Sequence, residues 1–445
     1  MISLNTPIYD FLRSYASSGT LRCHMPGHKG RCSADIPENP YELDITEICG
    51  ADSLFEADGI IAESERNMSG LYETAGTVYS AGGSTLCIQT MLALMKQENR
   101  RVYAVRNVHR AFLNSAALLD LEVEWIIPEY SGGILSGRID YDEVEDAVSK
   151  CEKPFCIYVT SPDYTGRTAD IKTLSAICKK YGARLLVDSA HGAHLAFFEQ
   201  SCHPIALGAD LCCDSAHKML PALTGAAMLH TSSAEYACRL KQTMTLFAST
   251  SPSYLIMASL DLCNKYIAED IRRDIAENVG YISGFREKFS GRLIFAEGEP
   301  FHMTIRAAES GYSCIDLARE LRLQGVECEY ADSGLTVLLM SPMNRREDYQ
   351  HLDTALDNAL KNLTPHEPKR ERIEIPVPRK IMSIRNAVFA PSEEIPVERA
   401  EGRICASVKI PCPPAVPIAV SGELITEKHI NIFKRYGILT VNVVK

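Results

Sequence analysis

The sequence predicts an α/β protein built on a mostly parallel sheet with helices on both faces, joined to smaller α+β regions. Three observations carry this. Short apolar runs, RVYAV at 101–105, FCIYVTS at 155–161 and ARLLVDSA at 183–190, have the length and composition of buried strands. The amphipathic IKTLSAICKKYG at 171–182 lies between the last two with the spacing of a helix. Parallel strands need crossovers, and each crossover has to bury an apolar helix face, so this alternation implies a sheet covered on both sides. The third observation is size: 445 residues, 46% hydrophobic and 23% charged, is chain enough for two or three domains of ordinary globular composition.

Taken in order, residues 1 to about 60 are rich in turn formers, as in HMPGHKG and ENPYELDITE, and read as an arm that meets a neighbouring subunit. Residues 61–290 hold the strand–helix alternation and form the large domain. Residues 291–363 turn mixed, from RLIFAEGEPFHMTIRAA through the helix-like SCIDLARELRLQG to the strand-like LTVLLMSP, and predict a smaller α+β domain. The Pro- and charge-rich TPHEPKRERIEIPVPRK at 364–380 reads as a linker. A Pro-rich region at 381–445 ends in GILTVNVVK.

Lys plus Arg number 46 and Asp plus Glu 57, and the formal charge of −11 argues against bulk binding to nucleic acid or an anionic membrane. A cationic small molecule is mildly favoured. The 16 Cys lack C-x-x-C pairs and often sit in apolar runs, as Cys212 and Cys213 do, which is the pattern of reduced core thiols. The N-terminus has no basic start followed by an apolar stretch, and no uncharged run approaches the ~20 residues needed to cross a bilayer. A cytoplasmic protein is expected.

In such a sheet ligands belong at the carboxyl ends of the strands. Asp188 ends ARLLVD and Lys218 ends ADLCCDSAHK, so both project from one sheet edge. Lysine forms Schiff bases with carbonyl cofactors, and pyridoxal phosphate also needs an acid for its ring nitrogen and a cradle for its phosphate. Gly82 and Gly83, with Ser84 and Thr85 at the start of a helix-like run, offer that cradle, and Ser215 is a second phosphate contact. Other readings compete. GGST is also an ordinary Ser/Thr helix cap. S-A-H-K matches the S-x-x-K of penicillin-binding proteins, although S-D-N and K-T-G are missing. His24 with His28, or Asp188 with His191 and His194, resemble metal ligands, but Pro26 and Gly27 break the helix that paired ligation needs, and no metal is expected.

The ordered motifs HMPGHKG (24–30), DITE (44–47), GGST (82–85), RNVHRA (106–111), TSPDYTG (160–166), VDSAHGAH (187–194), SAHKMLPALTGAAMLH (215–230) and STSPSYLIMASLD (249–261) resemble the Orn/Lys/Arg decarboxylase family of pyridoxal-phosphate enzymes. The resemblance implies the aspartate-aminotransferase type fold, fold type I, and decarboxylation of lysine, arginine or ornithine to a polyamine or its precursor. It makes Lys218 the Schiff-base lysine, Asp188 the partner of the ring nitrogen and His109 the imidazole stacked on the ring. Gly83, Ser84, Thr85 and Ser215 become phosphate contacts, His191 lies near the ring edge, and His217 or the freed Lys218 is the acid at the reacting carbon. A homodimer with shared active sites is the minimum assembly, with Ser249 and Thr250 completing the neighbour's phosphate site. The chain resembles the shorter branch, so large multi-dimer assemblies are less expected. For the substrate's distal cation, Asp44, Glu47 and Glu423 are candidate carboxylates. In the C-terminal region, which the resemblance makes a decarboxylase-type domain, Cys412, Ala415, Val416 and Ser421 depart from the family's Tyr, Gly, Ile and Pro.

Two alternatives stand beside this. An aminotransferase on the same fold would use the same lysine and aspartate, but it grips the substrate carboxylate with an Arg near the end of a C-terminal-domain strand. Here Leu338, Leu339 and Met340 occupy that place, and Arg345 and Arg346 fall later, in an expected turn. A catalytically inactive binding or regulatory homologue is the other, although Lys218, Asp188 and His109 are all present.

Overall fold

The computed structural model describes residues 18–24, 27, 29, 45, 47, 50–130, 133–369, 376, 377, 379–407 and 417–445. After a short strand β1 (Leu21–Cys23) and helix α1 (Ile60–Leu71) come β2 (Gly76–Ser80), α2 (Gly83–Gln97), β3 (Arg101–Val105), α3 (Arg110–Leu119) and β4 (Val123–Ile126). A two-residue hairpin, β5 (Glu129–Tyr130) and β6 (Gly137–Arg138), leads to α4 (Tyr141–Ser149), β7 (Phe155–Thr160), α5 (Ile171–Lys180) and β8 (Arg184–Asp188). Next are β9 (Leu211–Asp214), α6 (Ala216–Met219), β10 (Ala227–Thr231), α7 (Ala234–Met244), α8 (Tyr254–Glu269) and α9 (Ile271–Phe289). The seven strands of the main sheet run in the order β2-β10-β9-β8-β7-β3-β4. Strands β4, β3, β7, β8 and β9 are parallel, and β10 is antiparallel to both its neighbours.

The three expected strands and the expected helix are β3, β7, β8 and α5. Continuous apolar runs form here because both faces of a strand are covered. Along β7, Cys156 and Tyr158 enter one core while Ile157 and Val159 enter the other, the two-residue alternation of a strand between helix layers. Helix α5 starts where Asp170 accepts a hydrogen bond from the Thr173 amide at 3.1 Å.

The mixed pattern after α9 folds as β11 (His302–Ile305), α10 (Cys314–Leu323), β12 (Val326–Cys328), β13 (Tyr330–Ala331), β14 (Thr336–Leu339) and α11 (Arg346–Asn362). Strands β11, β14 and β13 make an antiparallel sheet, and β12 pairs with β1 in parallel. Arg345 and Arg346 do not form a turn: Arg345 caps α11, its amide donating to Asp348 at 2.9 Å, and Arg346 opens the helix. The C-terminal region holds α12 (Ile384–Phe389), β15 (Ser392–Pro396), β16 (Cys405–Ser407), α13 (Glu427–Arg435) and β17 (Thr440–Val444), with the antiparallel order β15-β17-β16.

Most of the expected arm and part of the expected linker lie outside the described residues. What is described of the arm is built into its own chain. Strand β1 pairs with β12, and the Gly27 amide donates to the His217 carbonyl. A Cβ on Gly27 would stand 2.5 Å from the Lys218 carbonyl oxygen, so only glycine lets the backbones approach this closely. The described cysteines are free and most are buried, with Cys202 and Cys238 exposed instead. Among the described residues no helix is long and apolar enough to cross a membrane.

Candidate active site

The carboxyl ends of β8 and β9 lie side by side, Asp188 opposite Cys213, and the chain leaves β9 through Ser215 into the single turn of α6 that carries Lys218. Asp188 is buried and accepts from the Tyr158 hydroxyl at 3.2 Å, the Ala190 amide at 3.2 Å and the Cys213 thiol at 3.7 Å. Lys218 Nζ lies 3.0 Å from His191 Nε2. His191 Nδ1 lies 3.0 Å from His302 Nε2, His302 Nδ1 is hydrogen-bonded to Glu299, and His194 Nε2 meets the other Glu299 oxygen at 2.8 Å. Burial, followed by the charge of Lys218 and the neighbouring imidazoles of His302, His109 and His217, pushes His191 well below its ordinary value. Burial alone would raise Glu299, but His194 and His302 outweigh it and hold that carboxyl well below its usual range.

His109 caps α3, its Nδ1 accepting from the Ala111 amide at 3.1 Å. Burial lowers its basicity, against the opposing pull of Asp188, and favours a neutral ring. At the other side of the crevice α2 opens at Gly83, whose φ of +69° suits glycine. The helix start has no side-chain cap, so Ser84 and Thr85 are not the ordinary cap residues. Ser80 shapes the turn instead, accepting from the Gly82 amide at 3.2 Å and donating to the Gly83 carbonyl at 2.9 Å. Helix geometry leaves the first-turn amides without intrahelical acceptors. The Gly83 amide donates to Gly225 at 2.8 Å, and the neighbouring Ala226 carbonyl accepts from His217 Nδ1 at 2.9 Å, so one short loop ties the start of α2 to the lysine turn.

Among the described residues the hydroxyl of Ser215, at the start of the lysine turn, is buried without a hydrogen-bond partner. An unpaired buried hydroxyl costs about 1–3 kcal/mol unless something fills the place. The donor set fits pyridoxal phosphate: an amine, a buried carboxylate, and an anion cradle of amides with an orphaned serine. Ser249 and Thr250 are exposed on the single chain, just before α8.

Several expected residues stand elsewhere. Glu423 is buried in a bidentate pair with Arg106 at 2.7 and 2.7 Å and also accepts from the Val420 amide at 2.8 Å, so its oxygens are occupied by the protein and not by a substrate cation. Glu47 is exposed. Asp44, His28, Cys412, Ala415 and Val416 lie outside the described residues, and Ser421 is buried. Among the described residues Asp188, His191 and His194 do not gather as a metal centre, and the pair of His24 with His28 includes a residue outside them. Among the described residues, the His and carboxylate atoms that converge are those of His203, Asp214 and His230, all buried and within 4.8 Å of one another, with Asp214 hydrogen-bonded to His203 at 3.0 Å. Strand β14 runs into buried Leu338, Leu339 and Met340, without the arginine an aminotransferase would place there.

Sequence reasoning missed Tyr158, His302, Glu299 and Arg106. Tyr158 had a signal, since it shares a strand face with Thr160, which lies opposite Asp188 in the β7–β8 register. His302 and Glu299 sit three apart in EPFH, a polar pair at the edge of an apolar strand.

The model of the Orn/Lys/Arg decarboxylase major domain matches residues 6–317, and that of the family's C-terminal domain matches residues 377–437. An arginine decarboxylase of Bacillus subtilis is 26% identical over 456 aligned residues, covering 96% of this chain and 93% of the relative. Lysine decarboxylase A from Pseudomonas aeruginosa superposes with a TM-score of 0.76 at 17% identity, over 100% of this chain and 84% of that one. A Francisella novicida lysine decarboxylase gives 0.74 at 15% identity, over 88% and 73%. With its major-domain match spanning well over half its length, the chain belongs to the Orn/Lys/Arg decarboxylase family, amino-acid decarboxylases of fold type I that work with pyridoxal phosphate.

Proposed function

We propose that the chain decarboxylates a basic amino acid, lysine, arginine or ornithine, with pyridoxal phosphate on Lys218, releasing CO₂ and a di- or polyamine precursor. The observation that carries this is the meeting of Lys218, Asp188 and His109 after three strands of one parallel sheet, beside a cradle with an orphaned serine hydroxyl. When bound, pyridoxal phosphate supplies an aldehyde for a Schiff base and a ring that draws electrons from the bond being broken.

The chain's own groups do the rest. Asp188, steadied by Tyr158 and Ala190, would keep the ring nitrogen of the bound cofactor protonated, because a buried carboxylate strongly favours an adjacent positive charge. His109, fixed by its cap contact and neutral, offers a ring face and not a charge. Ser215 and the amides of Ser84 and Thr85 would hold the cofactor's phosphate at the positive end of α2. His217 donates from Nδ1 to Ala226, which fixes the ring and makes Nε2 the nitrogen that moves a proton at the reacting carbon. By the family resemblance, Ser249 and Thr250, which are exposed on the single chain, complete the neighbour's phosphate site in a homodimer. Glu47 is the described carboxylate that remains for the substrate's distal cation.

The test is to purify the protein, record the visible absorbance of bound cofactor, and assay CO₂ and amine from lysine, arginine and ornithine in parallel. Borohydride reduction followed by peptide mapping is expected to place the adduct on Lys218. Keto acid without CO₂ would make the chain an aminotransferase, and failure to take up pyridoxal phosphate would make it a non-catalytic homologue.

A further inference from the structure

Behind Lys218 runs a chain of buried hydrogen bonds that the mechanism above does not use. It passes from Lys218 Nζ to His191 Nε2, from His191 Nδ1 to His302 Nε2, and from His302 Nδ1 to Glu299. Its direction is fixed from both ends. An ammonium can only donate and a carboxylate can only accept. His302 Nδ1 therefore carries the hydrogen that points at Glu299, His302 Nε2 accepts, His191 Nδ1 carries the next hydrogen, and His191 Nε2 presents a lone pair to the lysine. His191, His302 and Glu299 are 5%, 1% and 6% exposed, so water does not compete along the line. Glu299 is itself held from several sides: by the amides of Phe301 and His302 at 3.1 and 2.8 Å and by His194 at 2.8 Å.

Resting on the reading of Lys218 as the Schiff-base lysine, we propose that His302 and Glu299 are positioning residues that act on Lys218 through His191. They hold His191 in the tautomer that accepts from the ammonium, and they take up the proton Lys218 must shed before it can attack an aldehyde. The transfer balances as two hops. A Nζ–H bond breaks and its proton joins His191 Nε2, while the proton on His191 Nδ1 passes to His302 Nε2. Lys218 is left as a neutral amine and His302 as an imidazolium paired with the Glu299 carboxylate. The stopping point is physically sensible: burial disfavours a cation on His191, whereas His302 has an anionic partner in contact. Other charged or titratable groups around the line are Asp188 and His109 near Lys218, His217 and the Tyr164 ring near His191, and His194 and Arg286 near Glu299. Because Glu299 and His302 come from the segment that forms β11 and the lysine from the helical turn after β9, docking of the smaller sheet sets the basicity of the lysine.

The experiment uses cofactor-free protein mixed with pyridoxal phosphate, with Schiff-base formation followed by absorbance as a function of pH. His302→Gln keeps neutral hydrogen bonds but cannot hold the proton, and Glu299→Gln removes only the charge at the far end; both are measured, so the inference stands or falls on whichever folds. The expected result is formation about tenfold slower at pH 7, with the midpoint of the pH profile about one unit higher, and a wild-type rate recovered at pH 9.5. A uniform loss at all pH values, or an unmoved midpoint, overturns the inference while leaving Lys218 as the attachment site. Lys218→Ala is run alongside: if that variant still forms the adduct, the attachment reading itself fails and takes this inference with it.

Discussion

The buried pair between Arg106 and Glu423 makes the sharpest claim about stability. Arg106 follows β3, three residues before His109, and Glu423 lies in the C-terminal region, 317 residues away. Their side chains are 0% and 4% exposed, and two charge-assisted hydrogen bonds of 2.7 Å hold them. Glu423→Gln keeps the shape and one acceptor but strands a guanidinium without water or countercharge. Breaking one side of a buried pair costs about 3–5 kcal/mol, a large share of the about 5–15 kcal/mol by which folded proteins exceed their unfolded states. Arg106→Met alone strands the carboxylate and should cost as much, while the double variant with Glu423→Met removes both charges and should recover most of the loss. A local probe is built in. Trp125, the chain's single tryptophan, lies 4.8 Å from the Arg106 guanidinium carbon, so its fluorescence during urea unfolding reports this contact. The reasoning is refuted if Glu423→Gln unfolds at the wild-type urea concentration and instead raises KM for basic amino acids, the outcome required of a carboxylate that grips the substrate.

Two further outcomes are expected. Asp188→Asn should still take up pyridoxal phosphate but lose turnover by about two orders of magnitude, the usual scale for removing a preorganised electrostatic partner; kcat near the wild-type value would contradict its role at the ring nitrogen. His429 gives the pH dependence of stability: burial, helped by Arg106 and opposed by Glu423, lowers it from its ordinary value of 6.5 to about 4, and its Nδ1 accepts the Thr426 amide at the start of α13. The folded state resists a proton that the unfolded chain accepts, so this stability is complete above pH 6.5 and is lost as pH falls towards about 4. At about 1.4 kcal/mol per pH unit the full loss is about 3.5 kcal/mol, most of it reached by pH 4.5, and His429→Gln, which can still cap, should remove that part of the difference between urea midpoints at pH 7.5 and 4.5. An unchanged difference would show that the imidazole does not titrate in this way.

Strands β3, β7 and β8 were legible because a parallel sheet covered on both faces forces unbroken apolar runs. Asp188 and Lys218 were legible for a related reason: a charge that ends such a run has nowhere to point but out of the carboxyl edge, and both stand there. The start of α2 was readable from its glycines, but not the residue that shapes its turn. GGST suggests capping by its own hydroxyls, whereas Ser80, upstream, satisfies the turn and leaves the helix start without a side-chain cap. That difference favours an anion site over a plain cap, since a helix start already closed by its own side chain has less to offer a phosphate.

Partners distant in sequence were not legible. Nothing local pairs Arg106 with Glu423, and Glu423 looked free for a substrate because an isolated carboxylate in a Pro-rich stretch carries no mark of its partner. His191 and His302 are 111 residues apart, and each alone reads as a polar residue near apolar chain. Buried charge is what these contacts share. A charged or polar group tolerates burial only with a partner, so every ionisable residue that folding draws inside forces a contact whose other member can lie anywhere in the chain. The apolar pattern therefore fixes the sheet and its edge, while the pairings among buried ionisable groups decide how that edge is tuned. Two chains with the same strands and the same lysine could differ in the pH at which the lysine reacts, if only one of them placed an imidazole and a carboxylate behind it.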